Sequence, residues 1–132
     1  MPKTKRATHQ AFEGYSERGQ FTKICRDMMQ SKAWQVLNLR QQGLYLLLKS
    51  KYTQKVTHGI IEKTNRDNIS FPKSEWTEYY GDYRTFSHDM ELLVNLGFIR
   101  IVERGKCTRT PNIYGFTTGW KEYPNVKNRP DG

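Results

Sequence analysis

The feature that most constrains the fold is a helix signal between residues 82 and 97 that runs directly into a β-hairpin signal. Asp82 can cap a helix over residues 83–96, and Gly97 can end it. Apolar residues recur at helical spacing at Phe86, Met90, Leu93 and Leu96. Residues 98–102 (FIRIV) and 113–117 (IYGFT) then read as two strands around a polar loop. The pattern predicts an amphipathic helix followed at once by a hairpin.

Three further signals precede this unit. Residues 21–24 alternate like a short strand, and residues 26–30 can form one helical turn. Ser31 is a typical N-cap for a short helix with Ala33, Trp34 and Leu37 on one face. The strongest upstream signal is a core-facing stripe over residues 40–52, formed by Leu44, Tyr45, Leu47, Leu48 and Tyr52.

The middle of the chain predicts a short strand and a second helix. Thr57-His58-Gly59 ends the long helix, and Pro72 restricts the residue before it to extended backbone, so residues 69–71 can form only a brief strand. A short aromatic helix follows from Pro72 or Ser74, with Trp76, Tyr79 and Tyr80 on one face. Gly81 is expected to end it in a left-handed conformation. Two helices joined through Gly81 make a helix-turn-helix candidate.

The order helix, short strand, helix, tight turn, helix and hairpin is that of a winged helix. We therefore expect an α+β winged helix-turn-helix fold with three to four helices and a C-terminal β-hairpin wing. Residues 1–18 read as a flexible basic arm, 19–124 as the winged-helix domain and 125–132 as a flexible tail. Five aromatic residues fall on predicted core faces, namely Trp34, Tyr45, Trp76, Phe86 and Phe98.

Charge points to a polyanionic partner. The 132 residues include 22 Lys and Arg against 13 Asp and Glu, a formal net charge of +9. The excess lies outside the last predicted helix, because residues 81–98 hold one arginine and three acidic residues. No apolar run reaches the roughly 18 residues of a membrane span, and no signal peptide is legible, so we expect a cytoplasmic protein. Cys25 and Cys107 are then expected to be reduced.

The outer face of the last helix is the predicted DNA-reading surface. A helix in the major groove reaches base edges with side chains near its N-terminus and on its outer face. Those side chains are Tyr83, Arg84, Thr85, Ser87, His88 and Glu91. Arg84 suits a bidentate contact to guanine, and Glu91 can accept a hydrogen bond from a cytosine amino group. The alternative interpretation is an ordinary solvated helix face.

Basic residues elsewhere are predicted to hold phosphates. The wing supplies Arg100, Arg104, Lys106 and Arg109, and the N-terminal arm supplies Lys3, Lys5 and Arg6. Lys49 and Lys51, in the most basic stretch together with Lys32 and Arg40, are candidates for a clamp on the DNA backbone. Each group has an alternative interpretation as a solvated loop, a basic terminus without a partner, or a solvated face.

Parts of the sequence also resemble a known group of proteins. Residues 21–48, 69–72 (ISFP) and 84–99 resemble small winged-helix proteins of phage and of Firmicute plasmids and integrative conjugative elements. The resemblance is clearest at S-x-A-W (residues 31–34) and at T-F…L-x-x-x-G-F-I (residues 85–99). The resemblance implies DNA binding in transfer, replication or transcription control. Such helices often carry a basic residue after T-F-S, whereas this chain has His88 and Asp89, which predicts weaker phosphate contact there.

Other functional classes find less support. No glycine-rich phosphate loop occurs, and the three histidines lack metal-site spacing with either cysteine, so we expect neither an enzyme nor a cofactor. One alternative is a protein-interaction module that docks onto a relaxase, replication or transfer protein through Trp120 and Tyr123. Another is RNA binding. A homodimer on paired DNA half-sites is a further expectation, although no dimerisation helix is legible.

Overall fold

The computed structural model describes Phe12 and residues 21–105 and 110–124. Three helices open the continuous part: α1 (Arg26–Met29), α2 (Lys32–Val36) and α3 (Leu39–Lys49). Ser31 caps α2 as predicted, since its hydroxyl accepts a hydrogen bond from the Trp34 amide at 3.2 Å. A capping box starts α3, in which Asn38 and Gln41 each accept a hydrogen bond from the other's backbone amide at 2.9 Å.

The strand predicted for residues 21–24 is wrong, because residues 21–25 have no regular secondary structure. A strand needs a neighbouring strand to take its backbone hydrogen bonds. The two sheets in the described ranges are both two-stranded pairs formed by other segments. The helical turn predicted after this stretch is confirmed as α1.

A hairpin that the sequence did not predict follows α3. Strands β1 (Gln54–Thr57) and β2 (Ile60–Thr64) pair antiparallel, with Lys55 opposite Lys63 and Val56 opposite Ile61. The two turn residues have positive φ, 54° at His58 and 78° at Gly59, as a two-residue hairpin turn requires. Nearly every residue of the two strands is exposed, so the β1–β2 hairpin has no buried face.

The segment after this hairpin contains a short extended piece and a short helix. Ile69 forms an isolated antiparallel bridge with Tyr114, which confirms the short extended piece. Helix α4 (Lys73–Trp76) follows Pro72. The prediction of a left-handed conformation at Gly81 is wrong, because the positive-φ glycines in the described ranges are Gly59 and Gly97. Helix α4 has already ended at Trp76, and a turn over residues 77–79 makes the change of direction that Gly81 was expected to make.

The helix predicted over residues 83–96 and the β-hairpin predicted after it are both present. Helix α5 (Tyr83–Asn95) is capped by Asp82, and Gly97 has φ of 90°. Strands β3 (Ile99–Glu103) and β4 (Ile113–Phe116) pair antiparallel, with Ile101 opposite Tyr114. A 3₁₀ turn (Gly119–Glu122) then returns to the base of this β3–β4 hairpin. The fold is therefore mixed α+β, with helices packed on a small antiparallel sheet.

The core is rich in aromatic side chains from distant parts of the chain. Trp34, Tyr45 and Phe98 form one group, with ring centres 5.5 to 5.8 Å apart. In a second group the ring of Trp76 stacks on Phe86 at 4.9 Å. All five aromatic residues predicted for the core are buried. These contacts fix α5 and the β3–β4 hairpin against α2, α3 and α4.

Candidate nucleic-acid interface

The first turn of α5 presents the predicted reading residues in a defined position. Asp82 Oδ1 accepts a hydrogen bond from the Thr85 amide at 3.3 Å. Hydrogen bonding from the Thr85 side chain, and then from this amide, lowers the pKa of the Asp82 carboxyl. Tyr83 rests against the ring of Trp76 at 5.9 Å and is nevertheless 63% exposed. Arg84 beside it is exposed, and Thr85 is half-buried. The helix thus begins with a fixed aromatic side chain next to an arginine.

Beyond the first turn, the predicted residues divide between two sides of α5. Ser87 and Glu91 face a groove between α5 and the β3–β4 hairpin, whereas Arg84 and His88 lie outside it on the exposed side. The groove has a volume of about 440 Å³. Its polar lining comes from Tyr83, Ser87, Glu91 and Asn95 on α5, and from Arg104, Asn112 and Tyr114 on the hairpin side. Three of the six predicted residues, Tyr83, Ser87 and Glu91, therefore line the groove, and the other three do not.

The hairpin side of the groove is closed by Asn112, which sequence reasoning did not select. Its side-chain oxygen accepts a hydrogen bond from the Gly105 amide at 2.7 Å, and its amide nitrogen donates to the Tyr114 hydroxyl at 3.2 Å. Asn112 therefore links the two ends of the loop that joins β3 and β4. The available signal was an asparagine directly after Pro111, a residue type that commonly bonds nearby backbone in loops.

The wing residues differ in their surroundings. Arg104 lines the groove. Arg100 lies on the other face of the strand from Ile101, where its guanidinium forms a 3.2 Å ion pair with Asp67. Lys106 and Arg109, like the arm residues Lys3, Lys5 and Arg6, lie outside the described residues. Arg104 is the predicted wing cation that the structure brings next to α5.

Asp89 belongs to α5, and its side chain lies on the inner face of the helix and not on the outer face. Its carboxylate is fully buried and accepts two hydrogen bonds from the Arg40 guanidinium, at 2.6 and 3.0 Å. Gln41 donates a third at 3.0 Å, and the Tyr80 hydroxyl a fourth at 2.7 Å. Arg40 therefore holds the Asp89 charge inside the protein, and the weaker phosphate contact expected at this part of α5 stays a prediction.

The hydrogen-bond partners of the buried Asp89 carboxyl determine its ionisation state. Burial alone raises the pKa of a carboxyl, but the hydrogen bonds from Arg40, Tyr80 and Gln41 outweigh burial and hold the pKa of Asp89 at about 2. The same carboxylate raises the pKa of Arg40, chiefly through their hydrogen bonds. Asp89 is therefore ionised at neutral pH and ties α5 to the start of α3 and to Tyr80.

The candidate backbone-clamp residues also make contacts within the protein. The Lys49 ammonium lies 4.9 Å from the ring centre of Phe116 and 5.5 Å from that of Tyr52, and burial lowers its pKa. Lys51 forms an ion pair with Glu75 and lies 5.4 Å from the ring centre of Phe71. Both cations therefore have intramolecular partners, and the clamp stays a prediction.

Comparisons with known proteins add no assignment. Searches against protein-family models, curated proteins and solved structures found no match. Within the described ranges no helix is both long and apolar enough to cross a lipid bilayer. The same part of the chain contains no cluster of three His, Cys, Asp or Glu side chains that could hold a metal ion.

Proposed function

We propose that this domain is a winged helix that binds double-stranded DNA without catalysing a reaction. The order of elements supports the fold: α3, the extended piece at Ile69, α4, α5 and the β3–β4 hairpin occur in this order, with the β1–β2 hairpin inserted between α3 and Ile69. The isolated bridge from Ile69 to Tyr114 supports it further, because it places that extended piece beside the two-stranded β3–β4 sheet. In this arrangement α5 is the helix that enters the major groove.

The observation that carries the proposal is the surface formed by the start of α5 and the neighbouring hairpin. Tyr83 and Arg84 are exposed there, and Arg104 lies across the groove from α5. Glu91 is the one acidic side chain lining the groove. The loop that continues from Arg104 carries Lys106 and Arg109 in the sequence. Such a surface combines an exposed helix start with flanking positive charge, as duplex binding requires.

Separate roles follow for these residues. Arg84 reads a guanine through its two-pronged guanidinium, and Ser87, His88 and Glu91 contact neighbouring base edges. Arg104, with Lys106 and Arg109, neutralises phosphates beside the helix. The groove between α5 and the hairpin accommodates the edge of one DNA strand. Arg100 has a smaller role than its sequence position suggests, because Asp67 already pairs with its charge.

A binding experiment tests the class of partner. Fluorescence anisotropy with labelled duplex DNA, single-stranded DNA and single-stranded RNA of equal length is expected to show tightest binding to the duplex. Arg104→Ala should weaken duplex binding, whereas Lys121→Ala, an equal loss of charge on the exposed 3₁₀ turn, should not. Tighter binding to RNA, or equal effects of the two substitutions, would refute duplex binding by this surface.

The proposed anchors of the alternative protein-interaction function are partly engaged within the protein. Trp120 stacks on Phe98 at 6.3 Å and is partly buried against the core, as is Tyr123. These side chains cover the base of the β3–β4 hairpin. The process that DNA binding would serve, proposed from the resemblance as mobile-element transfer, replication or transcription control, is testable by footprinting the DNA that flanks the gene.

A further inference from the structure

The β1–β2 hairpin has no role in the proposed DNA surface. The chain leaves this hairpin at Arg66, whose backbone oxygen accepts a hydrogen bond from the Phe116 amide at 3.1 Å. Phe116 is the end of β4 farthest from the loop between β3 and β4. The β1–β2 hairpin therefore starts at the opposite end of the small sheet from that loop, where Asn65 fixes its base by bonding Thr53 and Lys51 at 2.8 Å.

Strand β2 has an open outer edge. Strand β1 pairs with one of its edges, and among the described residues no strand pairs with the other. Its apolar side chains are unusually accessible, with Ile60 67% and Ile61 57% exposed. A two-stranded ribbon of this kind has marginal stability alone. An exposed edge with apolar residues is a template on which another strand can pair.

The charged side chains of the β1–β2 hairpin favour pairing with a strand that places an acidic residue opposite Lys63. Lys55 and Lys63 face each other across the two strands, and like charges in that position repel. Neither lysine forms an ion pair with any residue in the described ranges. Glu62 stands next to Lys63 in β2, where the pairing register with β1 shifts and leaves Glu62 as an extra residue with none opposite it on β1. This strand therefore carries an acidic residue without a cross-strand neighbour beside a basic one.

We propose that β2 pairs antiparallel with β2 of a second copy of this chain, about a two-fold axis between Glu62 and Lys63. In that register Glu62 of each copy lies opposite Lys63 of the other, and Ile61 lies opposite Thr64. Two oppositely charged cross-strand pairs form, and each carboxylate compensates a lysine that otherwise faces only Lys55. The edge of β1 offers no such match, because Lys55 is its one charged residue.

The consequence is a dimer with two separate DNA-facing surfaces. Pairing through β2 leaves α5 and the groove uncovered, because the β1–β2 hairpin starts at the other end of the sheet. A two-fold dimer matches DNA sites composed of two half-sites. This inference goes beyond the proposed function and does not depend on it, since self-association is measurable without DNA.

Sedimentation equilibrium of the full chain without DNA tests the proposal. We expect the wild-type chain to shift from monomer to dimer between about 10 µM and 1 mM. Lys63→Glu and Glu62→Lys should each weaken association about tenfold or more, because each places like charges opposite one another. The double variant with both substitutions restores opposite charges and should regain wild-type association.

Net charge provides a sharp control for this test. Lys63→Glu lowers the +9 charge of the chain and so reduces general repulsion between copies, yet we expect weaker association. Lys121→Glu makes the same change in charge away from the hairpin and should not weaken it. A wild-type chain that stays monomeric throughout overturns the proposal, as does failure of the double variant to recover when its circular dichroism spectrum is unchanged.

Discussion

Asp89 shows how one buried side chain changes the meaning of the sequence around it. In the sequence it is one of three acidic residues within 81–98, which suggests a helix ill suited to DNA. In the structure it lies under α5 with Arg40, so its charge does not face outward. Its position three residues after Phe86 and four before Leu93 placed it on the apolar face. Its partner could not be inferred, because Arg40 lies 49 residues earlier.

Replacing this carboxylate should destabilise the fold. Asp89→Asn leaves the Arg40 guanidinium and the Tyr80 hydroxyl with a weaker, neutral acceptor. We expect the free energy of unfolding to fall by about 1–3 kcal/mol, as for other buried hydrogen bonds to charged groups. The loss is limited because the Arg40 side chain is 49% exposed and can turn to water. Urea denaturation followed by tryptophan fluorescence measures the change.

A matched control lies on the same helix. Glu91→Gln makes the same chemical change at an exposed position, and its effect on the free energy of unfolding should stay within about 0.5 kcal/mol. Equal stability of the Asp89 and Glu91 variants would contradict the role assigned to the buried network.

The stability of the protein should also depend on pH through this group. The folded state lowers the pKa of Asp89 from 3.8 to about 2. The ionised Asp89 therefore makes its full contribution to the free energy of unfolding above the pKa that this carboxyl has in the unfolded chain. That contribution is lost as pH falls from about 4 towards 2, where the folded protein also takes up the proton. Over that range the wild-type chain should lose more stability than Asp89→Asn. Urea titrations at each pH measure the free energy of unfolding of both proteins, and equal losses in the two would contradict this assignment.

At the scale of elements, local signals predicted most of the fold. Ser31 and Asp82 marked helix starts that the structure confirms, and Gly97 marked the end of α5. The β1–β2 hairpin was missed because it buries no face, so its strands lack the alternation of apolar and polar residues. The available signal was His58-Gly59 between β-branched residues, which the prediction treated only as the end of a helix.

Two glycines allow a comparison between a position where the backbone requires glycine and one where it does not. Gly97 has φ of 90°, and a Cβ there would meet the backbone of Gly119 and Trp120. Gly97→Ala should lower the free energy of unfolding by at least about 2 kcal/mol. Gly81 has open space around it and no positive φ, so Gly81→Ala should be neutral or slightly stabilising. Thermal unfolding followed by circular dichroism compares them, and similar melting temperatures would contradict the distinction.

At the scale of the whole molecule, net charge overstates the charge available to a partner. Arg40, Lys49, Lys51 and Arg100 have partners inside the protein. The sequence predicted the positive balance correctly, but it could not separate cations with partners from free ones, because each partner comes from a distant segment. Among the described residues, Arg84 and Arg104 are the exposed cations of the proposed DNA surface.

The two kinds of DNA contact should differ in how they respond to salt and sequence. Arg84→Ala should reduce discrimination at one base pair by about 1–3 kcal/mol. Lys106→Ala should weaken binding to all duplexes alike and reduce the slope of log affinity against log salt by about 1. Anisotropy titrations from about 50 to 500 mM salt, on a preferred site and on random duplexes, measure both quantities. Identical behaviour of the two variants would contradict the division of roles.

The Arg40–Asp89 pair also affects how mutagenesis of this protein is read. In a scan that replaces each basic residue with alanine, Arg40→Ala should weaken the proposed DNA binding, because it removes the hydrogen bonds that hold Asp89. The damage will come from a displaced α5, since the guanidinium lies against the inner side of that helix. Reversing the pair, with Arg40→Asp and Asp89→Arg together, separates the two explanations: an architectural link can recover in part, whereas a lost phosphate contact cannot.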